Sequence, residues 1–90
     1  MLSKRIYLKE MDRDSVLKQI NEIFIDVIDN KELLITDETT ARDVDGWNSL
    51  THIELVDAIE NHFRIRFTLN EIGQWKNVGQ IIESVLSKKK

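Results

Sequence analysis

The sequence predicts an all-α protein: a four-helix bundle of three longer helices and one short one, with a long loop between the first and second. Two observations carry that prediction. Apolar residues recur at three- and four-residue steps through most of the chain, and each such stretch opens at a side chain able to cap a helix. A third observation removes the competing class. Leu33-Leu34-Ile35 is a short run that would suit a strand, but no convincing second strand is there to pair with it.

The elements follow in order. From Asp12 onward, Val16, Leu17, Ile20, Ile23, Phe24, Val27 and Ile28 line one helical face, with Asp12 or Asp14 as the cap and Asp29-Asn30 as the stop. Residues 30–47 form a connection longer than loops in compact domains usually are. It is expected to be pinned to the core by Leu33, Leu34, Ile35, Val44 and Trp47, and long loops of this kind are often functional. A second stripe runs through Leu50, Ile53, Val56, Ile59 and Phe63, widened by Leu55 and Ala58, with Asn48 or Ser49 where the cap belongs. Thr68-Leu69-Asn70-Glu71 has capping-box spacing and starts a short helix ending near Gly73. Asn77 caps the last helix, whose inner face is Val78, Ile81, Ile82, Val85 and Leu86.

Ninety residues suffice for one core and one domain. Without cysteine, disulfides, thiolate metal sites and cysteine chemistry are excluded. The net charge of −3 is unevenly laid out: residues 1–10 carry +2, Lys88, Lys89 and Lys90 add +3, and residues 11–87 carry −8. So acidic a body repels phosphates and favours basic protein partners, while the basic ends read as solvated tails. Every apolar run is too short to span a membrane, and the first ten residues lack the apolar segment of a secretory signal. A cytoplasmic monomer that meets neither membrane nor nucleic acid is the expectation.

The stretch Asp43-Val44-Asp45-Gly46-Trp47-Asn48-Ser49-Leu50 raises the functional question. Were Gly46 the glycine of a calcium loop, the first and last ligand positions would fall on Ala41 and His52, so the two most important carboxylates are missing. A hydrolase serine needs a strand-to-helix turn and an oriented histidine. Here no strand precedes Ser49, and His52, one turn along the helix, has no evident orienting acid. His52 and His62 read as surface or boundary residues. A DNA-reading helix would be basic, whereas residues 49–63 contain Glu54, Asp57 and Glu60 and no lysine or arginine. What is left is a helix-cap serine or a point of attachment. A hydroxyl at a helix N-terminus sits in the positive end of the helix dipole, a favourable place for a phosphodiester.

Trp47-Asn48-Ser49-Leu50, followed by Ile53-Glu54-Leu55-Val56 and Ile59-Glu60, resembles the acyl carrier protein family over about residues 12–87. The resemblance implies an acyl-carrier-like bundle at residues 11–90 behind an N-terminal extension at 1–10. It implies no catalytic residues of the chain's own, and 4′-phosphopantetheine bound covalently to Ser49, its thiol holding acyl or related groups as thioesters. The partners implied are a phosphopantetheinyl transferase and acyl-loading and acyl-transferring enzymes, met through Asn48, Leu50, Glu54, Asp57 and Glu60. The chain departs from the family's Asp-Ser-Leu at Asn48; Asn61 stands where a further acid is common and Asp57 where an apolar residue is. These departures point to a specialised carrier. The alternative they raise is a carrier-like interaction module that is never modified.

Overall fold

The structure is a computed structural model that describes residues 12–89, so the extension assigned to residues 1–10 lies outside the described residues. Four helices follow one another: α1 (Arg13–Ile28), α2 (Ser49–Phe63), the short α3 (Leu69–Gln74) and α4 (Val78–Lys88). No strand occurs among the described residues. α1 packs against both α2 and α4.

Helix α1 starts at Asp12, whose carboxylate accepts the Ser15 N–H at 2.9 Å, and ends at Asp29 in the left-handed conformation (φ 63°). Its face of Val16, Ile20 and Phe24 is fully buried, flanked by Leu17, Ile23, Val27 and Ile28. From α4, Val78, Ile81, Ile82 and Val85 meet this face, as its 3.6-residue period requires.

The second stripe divides in a way its sequence does not show. Leu55, Ile59 and Phe63 enter the core, with Val56 and Ala58 half-buried, but Leu50 and Ile53 are 68% and 66% exposed. At about 100° per residue, Leu50 and Ile53 lie roughly 140–160° around the helix from Leu55, so one side of α2 cannot bury both sets.

The loop over residues 30–47 is held by more than its apolar residues. Ile35 and Val44 are buried, Leu33 and Trp47 pack on the core, but Leu34 is 81% exposed. Burial alternates along these three residues, with Leu34 turned out where Leu33 and Ile35 turn in. Asn21 on α1 secures this register: its Oδ1 accepts the Ile35 N–H at 2.8 Å and its Nδ2 donates to the Leu33 carbonyl at 3.3 Å. A 3-10 turn at Ala41–Asp43 interrupts the loop, with the Asp43 carboxylate accepting from Thr40 N–H (2.9 Å) and Thr40 hydroxyl (3.1 Å).

Helix α4 then holds the loop from the other side. The N–H groups of Val78 and Gly79, in a first turn that has no intrahelical acceptors, donate to the carbonyls of Thr39 (2.9 Å) and Asp37 (2.8 Å). A Cβ at Gly79 would lie 3.0 Å from the Asp37 carbonyl oxygen, so any larger residue here would push the loop away by a few tenths of an ångström. Arg13 adds an ion pair to Asp37 at 2.9 Å. The Thr68–Glu71 capping box starts α3 as its spacing predicts. Lys88 is not part of a solvated tail: it pairs with Glu71 at 3.0 Å, tying α4 to α3. The Thr68 backbone N–H, then Lys88, hold the Glu71 carboxyl below the usual carboxylate range.

Candidate functional site

The loop delivers the chain to α2 through Gly46, whose φ of 94° is disfavoured for any other residue and whose Cα faces Ile28. Asn48, not Ser49, is the helix cap: its Oδ1 accepts the N–H groups of Leu50 (3.0 Å) and Thr51 (3.1 Å). Thr51 closes the turn by accepting the Asn48 N–H at 2.8 Å and donating to the Gly46 carbonyl. The cap therefore occupies two early N–H groups of α2. Ser49 is the first helical residue, exposed, and its hydroxyl has no hydrogen-bond partner among the described residues. That hydroxyl is not needed to hold the fold together.

Beside Ser49 lies a cleft of about 530 Å³, walled by Trp47, His52, Ile53, Trp75 and Ile81. A continuous run of rings builds it. Trp47 meets Phe24 of the core edge-on at 4.8 Å and lies nearly parallel to His52, with ring centres 6.0 Å apart; His52 meets Trp75 edge-on at 6.3 Å, and Trp75 meets Phe67 at 4.7 Å. Hydrogen bonds fix both indoles: Trp47 Nε1 donates to His52 Nδ1 at 3.0 Å, and Trp75 Nε1 donates to Ser84 Oγ at 2.9 Å. An indole N–H only donates, so His52 Nδ1 must carry a lone pair, and the neutral ring bears its proton on Nε2. Burial acts the same way, pushing the His52 pKa down. This histidine is committed to Trp47, not to activating Ser49, and a serine-hydrolase pair is not formed.

The residues expected to meet partners separate into two kinds. Leu50, Ile53, Glu54 and Asp57 are all exposed and fall within roughly 100° of the α2 surface. Glu54 and Asp57 have no ion pair or hydrogen bond among the described residues. Glu60 is half-buried, and its Oε2 accepts the Phe67 N–H at 2.8 Å, so part of its charge serves the α2–α3 connection. Sequence reasoning missed the role of Trp75. Its signal was a large aromatic between the end of one helix and the cap of the next, where a polar residue is usual.

An exposed serine thus leads an acidic helix set over a packed helical bundle. The fold matches the solution structure of a holo acyl carrier protein from Geobacter metallireducens with a TM-score of 0.77 and 38% identity, covering 81% of this chain and 84% of that one. The chain belongs to the acyl carrier protein family. It is also similar to an acyl carrier protein of Saccharopolyspora erythraea, 28% identical over 76 residues that make up 84% of this chain and 80% of that protein. No family model matches the chain.

Proposed function

We propose that this protein carries acyl intermediates as thioesters on a 4′-phosphopantetheine arm attached to Ser49, and presents them to the enzymes of an acyl pathway. The observation that carries the reading is the state of Ser49 in a chain of this family: first in its helix, exposed, and relieved of capping by Asn48. A residue that had to cap the helix could not give up its hydroxyl without loosening the turn. The residues fit the group, because the Ser49 hydroxyl has no partner among the described residues and the helix N-terminus favours a phosphodiester.

The arm supplies the reactive thiol; the protein supplies position and recognition. Leu50 and Ile53 offer apolar contact beside Ser49, and Glu54 and Asp57 steer basic surfaces toward it. Charges of this kind raise association rates more than affinity, which suits a carrier that must leave each enzyme after its step. The transferase that installs the arm would dock on the same face, with Asn48 in place of the family's aspartate at its edge.

Intact mass after incubation with coenzyme A and a promiscuous phosphopantetheinyl transferase tests the assignment. A gain of one phosphopantetheinyl group on the native chain and none on Ser49→Ala is the expected result. No gain on the native chain would leave the unmodified interaction module as the better reading.

A further inference from the structure

Resting on the assignment of Ser49, we infer that Thr51 is the positioning residue of the modification site: its hydroxyl holds Ser49 in the geometry from which the arm is accepted. Thr51 acts through the turn at Gly46-Trp47-Asn48 rather than by touching the arm.

The hydroxyl sits where it can control that turn. Thr51 Oγ1 accepts the Asn48 N–H at 2.8 Å and donates its one proton to the Gly46 carbonyl; two other acceptors, both on Asn48, lie farther off at 3.3 and 3.4 Å. The Gly46 carbonyl belongs to the peptide before Trp47, and the Asn48 N–H to the peptide after it. One side chain therefore ties both peptide planes that flank Trp47.

The turn has little else to fix it. Gly46, at φ 94°, has the widest conformational freedom of any residue, so it permits the turn without enforcing it. The first plane has one further bond, from the Trp47 N–H to the Val44 carbonyl at 3.2 Å. The Asn48 N–H has no other partner among the described residues. The Trp47 ring is held by Phe24 and His52, but the backbone beside a fixed ring can still rotate. Asn48 is the cap of α2 and Ser49 the residue after it, so freedom at the second plane passes directly to the Ser49 hydroxyl. Without the Thr51 hydroxyl the end of α2 frays, and Ser49 leaves its helical position for part of the time.

Position and docking are separable here. Thr51 is half-buried and lies roughly 60–160° around α2 from the exposed Glu54, Leu50, Asp57 and Ile53. Loss of its hydroxyl leaves that face intact, so an enzyme still docks. What is lost is the alignment of Ser49, and group transfer is sensitive to misplacements of about 1 Å.

The test follows intact mass over time for the full chain with coenzyme A and a promiscuous phosphopantetheinyl transferase, at several concentrations of the chain. Thr51→Val keeps the side chain's shape and removes the hydroxyl; Thr51→Ser keeps the hydroxyl. The valine variant should be modified about tenfold more slowly at saturation, with its half-saturating concentration changed less than about twofold. The serine variant should recover most of the native rate. Val85→Ala, which lowers stability from the buried face of α4 and leaves the turn untouched, should be modified at the native rate. Amide hydrogen exchange reads the turn without any enzyme: the Asn48 N–H should be protected in the native chain and the serine variant, and unprotected in the valine variant. Should the valine variant prove unfolded by circular dichroism, Thr51→Ala takes its place with the same readouts. No mass gain on the native chain would mean that the Ser49 assignment has failed, and the inference with it. With the native chain modified the assignment stands, and four results would each overturn the inference alone: a native rate without the hydroxyl, a serine variant as slow as the valine one, equal slowing in Val85→Ala, or an Asn48 amide that stays protected without the hydroxyl.

Discussion

Asn21→Ala tests whether α1 holds the long loop in register. The native side chain makes two hydrogen bonds to that loop, accepting from Ile35 N–H and donating to the Leu33 carbonyl, on either side of the exposed Leu34. Each bond contributes about 0.5–1.5 kcal/mol net, and a partner left unsatisfied near the core costs about 1–3 kcal/mol. Ile35 is 2% exposed, so its N–H has little access to water, whereas the Leu33 carbonyl is less enclosed. The combined loss is therefore about 2–3 kcal/mol. For a domain of this size that lowers Tm by roughly 10–20 °C. Urea unfolding at neutral pH measures it, with two neighbours as internal references. Leu34→Ala should change stability by no more than about 0.5 kcal/mol, because its side chain is outside. Ile35→Ala should cost about 2–5 kcal/mol, because its side chain is in the core. An Asn21→Ala cost below about 1 kcal/mol, or a Leu34→Ala cost matching that of Ile35→Ala, would refute the reasoning, since neither loss fits the bonds and register described.

Other perturbations separate recognition from folding. Asn48→Ala removes the true cap and should cost about 1 kcal/mol, whereas Ser49→Ala should change stability by only a few tenths, ~0.3 kcal/mol, while abolishing modification; mass spectrometry and thermal melts read both. Asn48→Asp keeps the cap and adds a charge beside Ser49, so modification should accelerate with melting nearly unchanged; a slower reaction would refute the charge argument. Glu54→Lys and Asp57→Lys should slow modification at low salt, less so at high salt, without altering stability; Glu60→Lys should also lower stability, by about 1 kcal/mol, through loss of the Phe67 hydrogen bond. His52 gives a pH dependence of definite sign. Its folded pKa lies below the usual 6.5, so as pH falls through 6.5 the unfolded chain takes the proton first. Its contribution to stability is whole above that pH and declines as pH falls toward the folded value, a decline that His52→Phe should remove from the stability–pH profile.

Periodicity and capping chemistry are local properties, and they were legible from the sequence alone. The α1 stripe, the Thr68–Glu71 box and the Asn77 cap each involve residues within a turn or two of one another, so the sequence determined where these helices begin and which faces of α1 and α4 are apolar. The motif at Trp47-Asn48-Ser49-Leu50 likewise carried the family and the candidate serine. Other outcomes depend on partners distant in the chain, and only the tertiary structure decided them. A stripe wide enough for two faces does not say which one α1 will cover; packing buried Leu55, Ile59 and Phe63 and left Leu50 and Ile53 outside beside Ser49. The loop owes its path to bonds that reach back to Asn21 and forward to Val78 and Gly79, pairings that no local pattern encodes. The cleft exists only because Trp47, His52 and Trp75, up to 28 positions apart in sequence, are brought onto one another when the bundle closes. Local hydrogen-bonding and hydrophobic period act within a few residues, and so are written in the sequence; the choice among apolar faces is made by which surfaces exclude the most water together, and that is settled only when the helices meet.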